Sequence, residues 1–230
     1  MTGKGKADNA PPRLKGRESK RARKLRAGEI MTRLTKLYPG TTTALHWKTP
    51  FQLLVSTILS AQCTDDRVNK VTPPLFKRWP GPGEMAAAPL EEIEAMVRST
   101  GFFRNKAKSI KGSAQLILDS FDGEVPCSMS ELLKLPGVAR KTANCVMGTA
   151  FNNPVGVVVD THVGRLARRL GLSKQQDPVK VENDLMELFQ SNDWTRLSHC
   201  LIDHGRAVCP ARRAPSCDSC FLADICPQRI

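Results

Sequence analysis

Apolar positions recur at helical spacing along almost the whole chain. FQLLVSTILSAQ (51–62) is strongly apolar, and Pro50 suits an early helical position. Thr64 can cap DDRVNKVTPPLFKRW, and the Pro73-Pro74 pair is expected to limit how far that helix runs. LEEIEAMVRST (90–100) stops at Gly101. FRNKAKSIKGSAQLILDSF (103–121) is helical in period and ends before Asp122-Gly123. Ser130 or a neighbour starts the short segment ELLKL. A Pro-Gly turn then leads into ARKTANCVMGTAF, which Asn152-Asn153-Pro154 breaks. Residues 161–172, 178–189 and 194–208 read as three further helices. The one β-like run, VGVVVD (155–160), is too short and solitary to build a sheet. The expected fold class is all-α, with no internal repeat.

At 230 residues the chain has room for one domain or two small ones. No apolar run approaches the roughly 18 residues of a membrane span, and residues 1–30 lack the apolar stretch of a secretory signal. An intracellular protein without a membrane partner is expected. The formal charge is +13, and residues 1–28 hold ten Lys/Arg against only Asp8 and Glu18. Residues 1–23 read as a basic disordered tail, of the kind that contacts nucleic acid or serves as a nuclear address, or that simply aids solubility. The rest of the chain keeps 25 basic against 20 acidic residues, which favours a polyanionic partner.

Eight cysteines fall into two groups. Cys63, Cys127, Cys145 and Cys200 are scattered, mostly in apolar stretches, and read as small core residues. Cys209, Cys217, Cys220 and Cys226 crowd together at spacings x7, x2 and x5, which in an intracellular protein points to metal before disulfides. Zinc and a [4Fe–4S] cluster both accept four thiolates, and spacing does not choose between them. Arg212 and Arg213 lie in the first spacing, either as solvated loop charges or as a metal-braced phosphate clamp. His46, His199 and His204 sit in no ligand spacing and read as structural.

LPGVARKTANCVM (135–147) breaks a local rule. The helix after the Pro136-Gly137 turn starts with Arg140 and Lys141, at the positive dipole end where Asp or Glu is favoured. Backbone N–H groups at such a start bind phosphate without reading sequence, although LPG before a helix is commonly an ordinary turn. The dipole and Arg140 both disfavour the ammonium form of Lys141 and leave more of the neutral amine that attacks carbon. A phosphate contact works equally well with the charge kept, so position alone leaves both roles open. Asp160, 19 residues later, reads either as the N-cap of 161–170 or as a carboxylate at the mouth of the hairpin site. In the second role it takes a proton from the lysine or stabilises a cationic sugar.

LPGVARKTANCVM followed by VVVDTHVGRLARRLGL resembles the endonuclease III family of helix-hairpin-helix DNA glycosylases and abasic-site lyases. ILSAQCTDDRVNKVTPPLF (58–76), GFFRNKAKSIKG (101–112) and CLIDHGRAVC (200–209) carry the same resemblance, which runs from about Ile30 to Cys226. It implies that Lys141 is the catalytic lysine and Asp160 the essential aspartate. An oxidised pyrimidine would be flipped out of the duplex, Lys141 would attack C1′ and form a Schiff base, and β-elimination would cut the strand 3′ to the lesion. The resemblance gives Gln62 the gap left by the flipped base. Gly137, Ala139, Arg140, His162, Arg212 and Arg213 are the further candidate DNA contacts, and the resemblance matches Asp65 to an acidic residue near the pocket. It chooses a [4Fe–4S] cluster for Cys209, Cys217, Cys220 and Cys226. Phe102 lies near the family's apolar wedge and reads equally as a core residue.

The implied architecture is a six-helix barrel with the hairpin (43–153) and an iron–sulfur cluster domain (24–42 with 154–230), flanking a DNA-binding cleft. The implied partner is double-stranded DNA with a damaged base, bound by a monomer in the cytoplasm, nucleoid or nucleus. Two departures stand out. Ala139 replaces the family's usual glycine, and alanine's reluctance to adopt positive φ predicts a looser hairpin with modestly weaker affinity. Seven residues rather than six separate the first two cysteines. Monofunctional adenine and mismatch-thymine glycosylases typically lack the hairpin lysine. A non-catalytic DNA-binding module would need neither Lys141 nor Asp160.

Overall fold

The computed structural model describes residues 18–227. Among these the chain forms eleven α-helices and no β-strand. They are α1 (Lys20–Leu37), α2 (Pro50–Leu59), α3 (Asp65–Arg78), α4 (Pro82–Ala87), α5 (Leu90–Val97), α6 (Phe103–Ser120), α7 (Met129–Leu132), α8 (Arg140–Ala150), α9 (Thr161–Arg169), α10 (Pro178–Leu188) and α11 (Trp194–Ala207). The fold is all-α. Contacts divide it into two compact units, one of residues 42–158 and one joining residues up to Thr41 with those from Val159 onward. No helix among the described residues is long and apolar enough to cross a membrane.

In the first unit α2 buries seven of its ten residues, among them Phe51, Leu54 and Leu59. A helix apolar on every side must lie inside, and α3, α6 and α8 pack around it. Thr49 caps α2 by accepting from Gln52 N at 3.3 Å, and Pro50 takes the first helical position. On α6, Ala107, Ile110, Ala114 and Ile117 form a buried stripe at helical spacing, and the helix packs against α2, α4 and α5. The short α4 buries only Met85 and Ala86, too few residues to show a helical period in the sequence.

Thr64 caps α3 as expected, accepting from Arg67 N at 3.3 Å. The expectation that Pro73-Pro74 limits this helix is corrected, because α3 continues through both prolines to Arg78. The missing N–H groups remove two bonds, to the carbonyls of Asn69 and Lys70. Burial of Val68, Val71, Thr72 and Leu75 along one face outweighs that loss.

In the second unit α1 packs on α10 and α11, and α9 packs on the same two helices. The boundary of the basic tail at residue 23 is also corrected. Residues 20–23 form the first turn of α1, whose cap Ser19 accepts from Ala22 N at 3.1 Å. Arg26 makes two 2.8 Å bonds to Glu18 and one of 2.7 Å to Leu170 O, so tertiary contacts hold this basic segment in a helix. Residues 1–17 of that tail lie outside the described residues. Of the four scattered cysteines only Cys200 is buried. Cys63 and Cys145 are half-buried, and Cys127 is exposed rather than a core residue.

Candidate functional site

The hairpin belongs to the first unit. Ser128, not Ser130, caps α7, accepting from Glu131 N at 3.3 Å. Val138 N donates to Leu135 O at 3.1 Å and closes a turn with Pro136 in its second position and Gly137, at φ 76°, in its third. This is the residue pattern of a type II turn. Leu135 and Val138 are buried and pin both ends of the turn. A Cβ at Gly137 would lie 2.6 Å from Ser109 Cβ, so only glycine fits there. Ser113 Oγ donates to Pro136 O at 2.8 Å. Two serines of α6 thus fix the hairpin and, through it, the start of α8.

Ala139 is the N-cap of α8 and offers no side-chain acceptor, and no acidic residue occupies the first turn. Arg140 is half-buried and Lys141 exposed in that turn. An uncapped helix start flanked by two cations is suited to an anion. The expectation that Ala139 loosens the hairpin is corrected. Its φ is −94° with ψ 170°, extended backbone that alanine adopts without strain, and the positive φ belongs to Gly137 alone.

Lys141 and Asp65 both act electrostatically on the Cys145 thiol, with opposite signs, so they face the same neighbourhood of this unit. Burial pushes that thiol up. Gln62 and Phe102 are both exposed and both held at left-handed φ, 52° and 47°. Phe102 is 64% exposed, which rules out the core reading.

Asp160 belongs to the second unit. Its Oδ1 accepts from Val163 N at 2.8 Å and caps α9. The cap role is realised, and the half-buried carboxylate also acts on the charges of His199 and Arg165. His162 Nδ1 lies 3.2 Å from Arg165 Nη2, which donates to Gly205 O at 3.1 Å and Cys209 O at 3.2 Å. Arg169 Nη1 donates to Pro210 O at 2.8 Å and approaches Cys209 Sγ at 3.1 Å. The helical period places these arginines on α9, but periodicity carries no sign that they turn toward the cysteine loop.

Cys209, Cys217, Cys220 and Cys226 line one cavity, walled by Leu166, Leu170 and Ala223. Among the described residues no three His, Cys, Asp or Glu side chains converge on a single ion-sized point. The four thiols surround a space instead. Burial pushes the thiols of Cys217 and Cys220 up, and neighbouring cysteines push them further. Thiols in this setting resist ionisation until a positive centre compensates them, so the donor set fits a metal group of soft, thiolate-binding character.

The seven-residue spacing is absorbed by a loop closed through Ser216 N donating to Val208 O at 3.0 Å. Arg212 and Arg213 stand exposed on that loop. His204 is buried between Tyr38 and Phe221, with Nε2 3.7 Å from Cys220 Sγ, a place that ligand spacing did not reveal. Burial pushes its pKa down to about 4, which keeps the ring neutral near pH 7. His199 is half-buried and His46 exposed.

Comparison with known proteins places this geometry among relatives. The profile described as HhH-GPD superfamily base excision DNA repair protein matches residues 55–191. Endonuclease III of Synechocystis sp. is 58% identical over 207 residues, covering 90% of this chain and 94% of the relative. Endonuclease III of Bacillus subtilis is 42% identical over 199 residues, covering 86% and 90%. A solved structure of a trapped endonuclease III–DNA covalent intermediate aligns with TM-score 0.83 and 42% identity, covering 88% of this chain and 95% of that one.

The turn geometry generates a paired prediction. Gly137→Ala meets both the positive φ and Ser109, and should lower unfolding free energy by about 2–4 kcal/mol in denaturant titration. Ala139→Gly should change it by less than about 1 kcal/mol and leave duplex affinity within about twofold. A clear gain in affinity for Ala139→Gly would restore the looser-hairpin expectation.

Proposed function

We propose, from the premise that this chain belongs to the endonuclease III family of the HhH-GPD superfamily, that Lys141 and Asp160 carry its chemistry. The protein is a bifunctional DNA glycosylase and abasic-site lyase that acts on oxidised bases in damaged duplex DNA. The observation that supports the residue assignment best is the amine of Lys141, exposed in the first turn of an uncapped helix suited to hold a phosphate. A backbone phosphate on the N–H groups of α8 brings the adjoining deoxyribose to that amine.

The target is an oxidised pyrimidine, flipped out of the stack. Gln62 fills the vacated space, and Phe102 wedges the neighbouring step. Lys141 Nζ, as the neutral amine, bonds to C1′ while the bond from C1′ to the base breaks and the departing base takes up a proton. Loss of the amine proton and opening of the sugar ring give a Schiff base. Removal of a 2′ proton then expels the 3′ phosphate by β-elimination. Asp160 stabilises the positive charge that develops on the sugar and accepts the amine proton. Arg140, His162, Arg212 and Arg213 hold the strand through its phosphates.

The first unit is read as the six-helix barrel and the second as the iron–sulfur domain. Cys209, Cys217, Cys220 and Cys226 would hold a [4Fe–4S] cluster, which supplies positive charge to four thiolates and braces their loop. Arg169 orients Cys209, and the braced loop presents Arg212 and Arg213 at fixed positions. The protein acts on DNA as a monomer.

Two measurements test this reading. Lys141→Gln should lower nicking of a lesion-bearing duplex by about 10³-fold or more while duplex affinity stays within about threefold. Retained nicking would remove Lys141 from the chemistry. Metal analysis of the purified protein should find about four irons per chain with visible absorbance, lost on Cys217→Ala. One zinc per chain in a colourless protein would reverse the cofactor assignment.

A further inference from the structure

Lys106 holds two helix ends together inside the first unit. It is only 6% exposed, and its Nζ donates to Leu59 O at 2.8 Å and to Thr100 O at 2.7 Å. Leu59 is the last residue of α2, and Thr100 ends the 3-10 turn that extends α5. The last carbonyls of a helix have no partner within it and carry partial negative charge, so an ammonium placed between two such ends serves both. Cys63 N, which a continued helix would direct at Leu59 O, donates to Ser60 O at 3.1 Å. The backbone N–H of Lys106 donates to Phe102 O at 3.1 Å. That backbone bond is the ordinary first turn of α6. What the Lys106 ammonium ties together is two carbonyls, one at the end of α2 and one at the end of the 3-10 turn, each just before a loop.

Each loop turns through left-handed backbone and lifts one side chain into solvent. The first does so at Gln62, φ 52°, and the second at Gly101 and Phe102, φ 71° and 47°. Non-glycine residues persist at positive φ only where their surroundings fix them. Burial lowers the pKa of Lys106, the cost of desolvating an ammonium that an apolar side chain would avoid. What the lysine provides in return is a fixed geometry between two exposed side chains.

We infer that Lys106 is a positioning residue for the reaction, setting the spacing and height at which Gln62 and Phe102 enter the duplex. The inference rests on the roles given to those two residues above. Lys106 touches neither substrate nor reacting atoms; it acts through the two loops.

The test is a double-mutant comparison with the full, cluster-loaded chain, reading single-turnover base release from duplex containing thymine glycol. The proteins are wild type, Lys106→Met, Gln62→Ala with Phe102→Ala, and the triple variant, each assayed below its melting temperature by circular dichroism. Lys106→Met should slow base release by about 100-fold in the wild-type background, as an ångström-scale misplacement does. In the background lacking both inserted side chains it should slow release by less than about twofold. Should Lys106→Met not fold, Lys106→Gln, uncharged and too short to reach both carbonyls, replaces it in the same comparison. Equal slowing in both backgrounds overturns the positioning role while leaving Gln62 and Phe102 in place. A Gln62→Ala, Phe102→Ala protein as fast as wild type removes the roles of those two residues, and the inference with them.

Discussion

Position 137 has no room for a side chain: a Cβ there would lie 2.6 Å from Ser109 Cβ. That close approach lets the Leu135–Val138 turn seat against α6, with Ser113 bonded to Pro136 O. The first residue of α8 follows from it. A helix begins where its first N–H groups lose intrahelical partners, and here they emerge with no side-chain cap, next to Arg140 and Lys141. Moving the turn would move the amine and the phosphate-binding N–H groups together, so the reacting nitrogen and its substrate-holding backbone share one support.

The same chain places many of its cations inward. Lys106 serves the ends of α2 and of the turn after α5, and Lys111 Nζ donates to Ala86 O and Ala88 O at the end of α4. Arg26 reaches Leu170 O just past α9. Arg165 and Arg169 take carbonyls where α11 gives way to the cysteine loop. Cations at helix C-termini satisfy orphan carbonyls and oppose the negative dipole end. Net charge therefore overstates how much of this protein faces a polyanion. Among the cations that stay exposed, Arg212 and Arg213 on the cysteine loop are placed for phosphate, while Lys141 beside the hairpin keeps its amine for the sugar.

Periodicity located the long helices from α2 onward but not α1, whose basic first turn read as tail, and capping chemistry located Thr64 and Asp160 at helix starts. The short α4 escaped because two buried residues make no period, and the prolines of α3 misled because local propensity yields to burial. The hairpin was legible as a turn, yet which residue holds the positive φ was not, and Ala139 was charged with a strain that belongs to Gly137. Spacing found the four cysteines but not the cavity they share, nor Arg169 against Cys209 and His204 against Cys220. Contacts between residues distant in sequence leave no mark on a local pattern, and Lys106 is the plainest case: a lysine in an amphipathic helix reads as solvent-facing, yet this one is buried.

A covalent bond between one named nitrogen and the sugar can be caught chemically. Borohydride reduction during turnover on a thymine-glycol duplex, followed by proteolysis and mass spectrometry, should give one DNA-linked peptide with the attachment at Lys141. An adduct mapped to another residue, or no adduct from protein that cleaves the same duplex, would contradict the role of the hairpin amine.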